Sequence, residues 1–235
     1  MNQDATTRRL LAAGVVGPPL FVAILLLAGA TRPGYDPIRH AVSLLSLGDQ
    51  GWIQIANFIV TGVLFVAFAF GLRRAFAPGP GSRWAPILVG GAGAGLVIAG
   101  IFATDPGFGY PPGTPPGNPA SNSWQGTIHL VGAILVFGLL GLGGLPTACV
   151  IVARRAQLLG DRRLMAYSLA SGLGMLAFFV AAVAVPGSQP GASDLFGLFQ
   201  RISIMIGWTW VMVLALVLLR EPRSNLAPQT VRAVS

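Results

Sequence analysis

Six apolar runs divide this sequence, and each is long enough to cross the hydrocarbon core of a bilayer as one helix. The first, Leu10–Ala30, holds about twenty-one residues and would rise roughly 30 Å as a helix. Five more follow, at about Trp52–Leu72, Ala85–Thr104, Trp124–Ala153, Leu164–Val185 and Leu195–Leu219. Of the 235 residues, 54% are hydrophobic and 9% charged, with a mean hydropathy of +0.72. An ordinary soluble domain carries about 25% charge, and no soluble core could absorb this much apolar surface. The fold class expected is therefore all-α, a polytopic bundle of six transmembrane helices. Residues 1–9 form an N-terminal segment, 10–219 a single membrane domain and 220–235 a tail. Pro18-Pro19 should kink the first span and Pro146 the fourth.

The net charge of +8 arises from fifteen basic residues, every one an arginine. They stand in small groups between the apolar runs instead of on one basic face, which argues against nucleic acid as a partner. With the N-terminus inside, Arg8, Arg9, Arg73, Arg74, Arg83, Arg154, Arg155, Arg162, Arg163, Arg220, Arg223 and Arg232 fall on the cytoplasmic side. Only Arg32, Arg39 and Arg201 fall on the other. The expectation is a multi-pass protein of the cell membrane with both termini cytoplasmic. Arginine without lysine, amid much Ala, Gly and Pro, suggests a GC-rich genome and a bacterial source. The first run also admits reading as a signal peptide, with Arg8-Arg9 before it and Ala28-Gly29-Ala30 as a cleavage site, but its length favours a span. Cys149 is the single cysteine and lies within an apolar run, so no disulfide or Cys-based metal site can form within the chain.

Polar residues concentrate toward the outer ends of the spans. In the first external loop, Asp36-Pro37 reads as an N-cap with proline at the first helical position, and Gly48 as a stop. A short amphipathic helix of about eleven residues is expected there, with Asp36, Arg39, His40, Ser43 and Ser46 on one stripe. That stripe either lies solvated at the interface or turns into the bundle mouth. Counting turns brings Gln54 and Asn57, Thr104 and Asp105, Gln125 and His129, and Gln200 and Arg201 to the same level. Arg201 and His129 should face inward, with Asp36, Asp105 and Asp194 as counter-charges, and Arg201 is expected to pair with Asp105. The second external loop, residues 105–123, reads as an irregular cap rich in Pro and Gly. Trp52, Trp84, Trp124 and Tyr35 read as interfacial belt residues, and Trp208 and Trp210 as packing or lipid contacts. Gly91 with Gly95, and Ser168 with Gly172, read as close-packing pairs.

The segments GYDPIRHAVSLLSLGDQGWIQIANFIVTG, IFATDPGFGYPPG, WQGTIHLVGA and GLFQRISIMIGWTW carry a resemblance. Together they resemble the membrane family called Domain of Unknown Function 998, of bacteria and archaea, from about Val15 to Leu219. The resemblance implies six spans, and a recurring motif that maps onto Asp36, Arg39, His40, Ser43, Gly48, Trp52 and Asn57. It also matches Thr104-Asp105, His129 and Gln200-Arg201, and it supplies no activity.

The candidate pocket is thus Asp36, Arg39, His40, Ser43, Asn57, Asp105, His129, Gln200 and Arg201, at the outer mouth. The leading reading is a module that binds a lipid-like or small ligand, or a partner, with membrane lipids as its surroundings. A second reading is a hydrolase or transferase with His40 or His129 as base and Ser43 as nucleophile, though neither G-x-S-x-G nor H-E-x-x-H occurs. A transporter is a third, disfavoured because the inner halves of the spans offer chiefly Thr61, Thr147, Ser168 and Ser171. No cofactor and no metal are expected, since the glycine-rich stretches follow no strand.

Overall fold

A computed structural model describes residues 4–117, 119, 121–138, 143–184 and 195–220. The expectations that rested on Asp194, Arg223, Arg232 and the end of the fifth span at Val185 lie outside the described residues. Within them the chain forms seven α-helices: α1 Ala5–Thr31, α2 Trp52–Phe76, α3 Trp84–Ile101, α4 Trp124–Phe137, α5 Gly144–Leu158, α6 Arg162–Ala184 and α7 Phe196–Arg220. Five of these, α1, α2, α3, α6 and α7, are long and apolar enough to cross a membrane. The molecule is therefore an all-helical, multi-pass membrane protein in character.

Each start has a local cause. Asp4 caps α1, its carboxylate accepting the Thr7 N–H at 2.6 Å, and Ser123 caps α4, accepting the Gly126 N–H at 3.0 Å. Trp52, Trp84 and Trp124 each open a helix with the ring largely exposed, as belt residues should. α1 runs unbroken through Pro18 and Pro19.

The helices close into a ring. α1 packs on α2, α2 on α3, α3 on both α4 and α5, α5 on α6, α6 on α7, and α7 back on α1. α4 leans on α3 and only lightly on α6, which leaves a gap on its other side. The most extensive contact joins α2 to α3. A Cβ on Gly62 would sit 2.6 Å from the Gly93 carbonyl oxygen, and one on Gly93 would sit 2.7 Å from that of Gly62. Of the pairs read from sequence, Gly95 meets the Gly132 carbonyl of α4 and Gly172 meets Pro146 and Cys149 of α5, whereas Gly91 faces open space. Trp208 and Trp210 are both buried. Trp208 packs between Phe21 and Phe65, with ring centroids 5.2 Å away on each side, and the Trp210 indole donates to Ser168 Oγ at 3.0 Å.

Two expectations are corrected. The fourth apolar run is two helices, not one kinked span: α4 ends at Phe137 and α5 begins at Gly144. Gly138, Gly143 and Gly144 have φ of 82°, 83° and 63°, a conformation that only glycine adopts without strain. Pro146 sits in the first turn of α5, where its missing N–H costs nothing, so it starts a helix and kinks none. The loop helix expected over Asp36–Ser46 is instead a turn at 36–40 followed by a short 3-10 helix, Val42–Ser46.

The α2–α3 contact has no room for a side chain. Gly62→Val should lower stability by about 1–3 kcal/mol through overpacking, read as a fall in the thermal unfolding midpoint in detergent. A valine tolerated without loss would show that the two helices are less closely apposed.

Candidate functional site

The α1–α2 loop fails to become an α-helix because its backbone is claimed from elsewhere. At the start of α7 the N–H groups of Gly197 and Leu198 have no intrahelical acceptor. They donate to the carbonyls of Arg39 at 3.2 Å and Ile38 at 2.9 Å. Gln200 Oε1 accepts the Val42 N–H at 2.8 Å. Arg201, buried, donates through Nη1 to the carbonyls of Pro37, His40 at 3.0 Å and Gly197 at 2.9 Å, and through Nη2 to the Tyr35 hydroxyl. Carbonyls 37 to 40 thus bond to α7 and its arginine rather than along a helix of their own.

Tyr35, read from sequence as a belt residue, is buried at the centre of this arrangement. Its hydroxyl points at the carbonyls of His40 and Ala41, 3.2 and 3.0 Å away. Burial pushes its phenol up to about 12, against the opposing pull of the Arg201 guanidinium. Its ring joins His40 and Tyr110 in a three-way cluster with centroids 5.3 to 5.5 Å apart. His40 Nδ1 accepts the Asp36 N–H at 2.9 Å. Its Nε2 lies 3.0 Å from the Phe108 carbonyl, which can only accept, so Nε2 carries the proton. His40 thereby ties the first loop to the second. Arg32 does the same from α1, donating to the carbonyls of Leu45, Leu47 and Gln50 and to the Tyr110 hydroxyl.

The expected Arg201–Asp105 pair does not form. Arg201 has spent its donors on carbonyls and a phenol, and Asp105 accepts the Ser123 N–H at 2.9 Å while its carboxylate abuts Gly126. Among the described residues the ion pair is Arg39 with Asp36, at 3.6 Å, both side chains largely in solvent and the pair of little energetic weight. The polar stripe splits accordingly: Asp36 and Arg39 face out, while His40 and Ser46 are buried.

Beneath this clamp, in the gap beside α4, lies a cavity of about 350 Å³. Its rim carries Arg39, Ser43, Thr104, Asp105, Asn122 and Gln200. Its body is apolar, walled by Phe21, Phe58, Leu96, Phe179 and Trp208, with Val136 and Phe137 of α4. His129 stands in the wall of α4, buried, its Nδ1 2.9 Å from the Phe102 carbonyl at the end of α3. Of the nine candidate pocket residues, Arg39, Ser43, Asp105, His129 and Gln200 line the cavity. Asp36, His40 and Arg201 build the clamp above it. Asn57 belongs to neither, for its Nδ2 donates to the Phe21 carbonyl at 3.2 Å and to Gln54 Oε1 at 3.3 Å, binding α2 to α1. Sequence reasoning missed Arg32, Tyr110 and the aromatic walls. Aromatic and branched residues within spans carry no mark that separates cavity lining from packing. Among the described residues no three His, Cys, Asp or Glu side chains converge as a metal site.

A family model described as protein of unknown function (DUF998) matches residues 15–217, and the chain belongs to that family. No curated protein and no solved structure matches the chain.

Arg201→Gln should cost about 1–3 kcal/mol or more by stranding buried acceptors, and Arg201→Lys should recover little, since one ammonium cannot fork to all of them. Thermal unfolding in detergent checks both, and a near-neutral Arg201→Gln would refute the clamp. Tyr35 gives a pH test. Its folded value lies above the usual 10, so its contribution is whole below pH 10 and lost as pH rises toward 12. Tyr35→Phe should flatten the fall in stability across that window.

Proposed function

We propose that this DUF998 member binds a lipid-like ligand in the cavity beside α4, at the outer-leaflet mouth of a six-crossing bundle. In this reading α4 and α5 together make the sixth crossing, both termini are cytoplasmic and the arginine-bearing helix ends face the cytoplasm of a bacterial cell. The observation that carries the proposal is the cavity's composition: a polar rim over an apolar body, in the size range of small-ligand pockets. Access from the bilayer is supported by Leu130 of α4 and Val183 of α6. Both line the cavity, yet they remain 53% and 59% exposed on the lipid-facing surface. The rim residues Arg39, Ser43, Asp105, His129 and Gln200 would hold a head group, while Asp36, His40 and Arg201 fix the loop that presents them, and Asn57 secures α2 below.

Of the two histidines that could serve as a base, His40 has both ring nitrogens committed to the backbone, so hydrolysis would rest on His129 alone and has less support than binding. Binding also has more support than transport. Among the described residues the arginine half of the bundle is filled by buried Leu145, Met175, Trp210 and Leu214, with Ser168 taken up by the Trp210 indole.

Ala133 lines the cavity, and Ala133→Trp should fill it. Mass spectrometry of lipids retained by the purified protein should find a species enriched on the native chain and lost from a folded Ala133→Trp variant. Equal retention by both would refute the proposal.

A further inference from the structure

The chemistry of the rim narrows the head group that such a ligand can carry, an inference that rests on the binding proposal above. The rim offers acceptors. Asp105 has one oxygen on the Ser123 N–H and no cation within ion-pair distance among the described residues. His129, 8% exposed, has Nδ1 against the Phe102 carbonyl with the Ala99 carbonyl beside it. Since a carbonyl only accepts, Nδ1 carries the proton, and in that tautomer Nε2 is the acceptor.

Of the cations near the cavity only Arg39 stands on the rim, and it is shared with Asp36. Arg201 and Arg32 donate to carbonyls and tyrosine hydroxyls, and Arg39 is held by Asp36 with its side chain 61% in solvent. The chain contains no lysine to substitute for them. A phosphate head would meet two carboxylates, Asp36 and Asp105, against the single Arg39, a net repulsion. An ammonium head would surrender more hydration than a hydroxyl on entering so apolar a cavity. The volume of about 350 Å³ lies at the low end for small-ligand pockets and suits one acyl chain.

We infer that the cavity takes a single-chain lipid with an uncharged hydroxyl head, a monoacylglycerol in chemical class. Its hydroxyls donate to Asp105 and His129, and its phosphate-bearing counterpart is rejected.

The test is competition between 1-oleoylglycerol and 1-oleoyl-lysophosphatidate for the full-length protein in lipid nanodiscs, read by native mass spectrometry. The native chain should retain the glycerol ester at least about tenfold better. Asp105→Asn keeps the side-chain volume and an oxygen for the Ser123 N–H, so it should fold and erase most of that ratio. His129→Gln should reduce it while leaving the unfolding midpoint near that of the native chain. A native preference for the lysophosphatidate, or a ratio unmoved by Asp105→Asn, overturns the inference. If both lipids bind equally and Ala133→Trp abolishes both, the head-group inference fails while the binding proposal stands. If neither lipid binds the native chain, both fall.

Discussion

A guanidinium removed from water must be given acceptors, and this chain supplies them from the main chain. Arg201 and Arg32 are served by loop carbonyls, and Arg155 donates to the carbonyls of Phe76 and Pro80 while lying over the Phe76 ring. With seven acidic residues in 235, carboxylates are scarce, whereas turns rich in Gly and Pro present many carbonyls that no helix consumes. Each buried arginine therefore does the work of an ion pair and a loop anchor together. The arrangement is reciprocal at α7, whose first N–H groups and Arg201 both take carbonyls from the same short loop.

The cavity follows from that anchoring together with the order of helices around the ring. Val42 and Ser43 are held over the mouth by Gln200, while α4 is drawn to α3 through the Gly95–Gly132 contact and away from α7. A single continuous helix in place of α4 and α5 would have to run straight down the ring. Two shorter ones let the upper piece lean outward and leave space beside it.

Hydropathy made most spans legible, because lipid imposes a length and an apolar character that composition records directly. The depth count set Thr104, Asp105, His129 and Gln200 at the level of the first loop's stripe, and these four line one cavity with Arg39 and Ser43 of that stripe. Gln54, Asn57, Gln125 and Arg201, counted to the same level, do not line it. What sequence could not supply were partners distant along the chain. The Asp36–Ser46 pattern has helical spacing, but hydrogen bonds to Gln200 and Arg201, some 160 residues away, override it. Arg201 looked in need of a carboxylate only because backbone acceptors are invisible in a residue list. Tyr35 had the profile of an interfacial ring, and nothing local marks it as the residue that Arg201 rests on. The break after Phe137 was hidden for the opposite reason: an uninterrupted apolar stretch hides a joint as well as it does a helix, and only the glycines hinted at it.

That joint also bears on how the molecule meets membranes of different thickness. α4 and α5 rise roughly 21 Å and 22 Å, each less than the hydrocarbon span of about 30 Å, whereas α1, α2 and α7 are single rods that must tilt to shorten their reach. At the ends of α4 and α5 stand Gly138, Gly143 and Gly144, each with a positive φ that a continuous helix could not contain. The wall of the cavity formed by Val136 and Phe137 thus belongs to a helix shorter than the hydrocarbon core, where the opposite walls, at Phe21, Phe58 and Trp208, are carried by helices that exceed it.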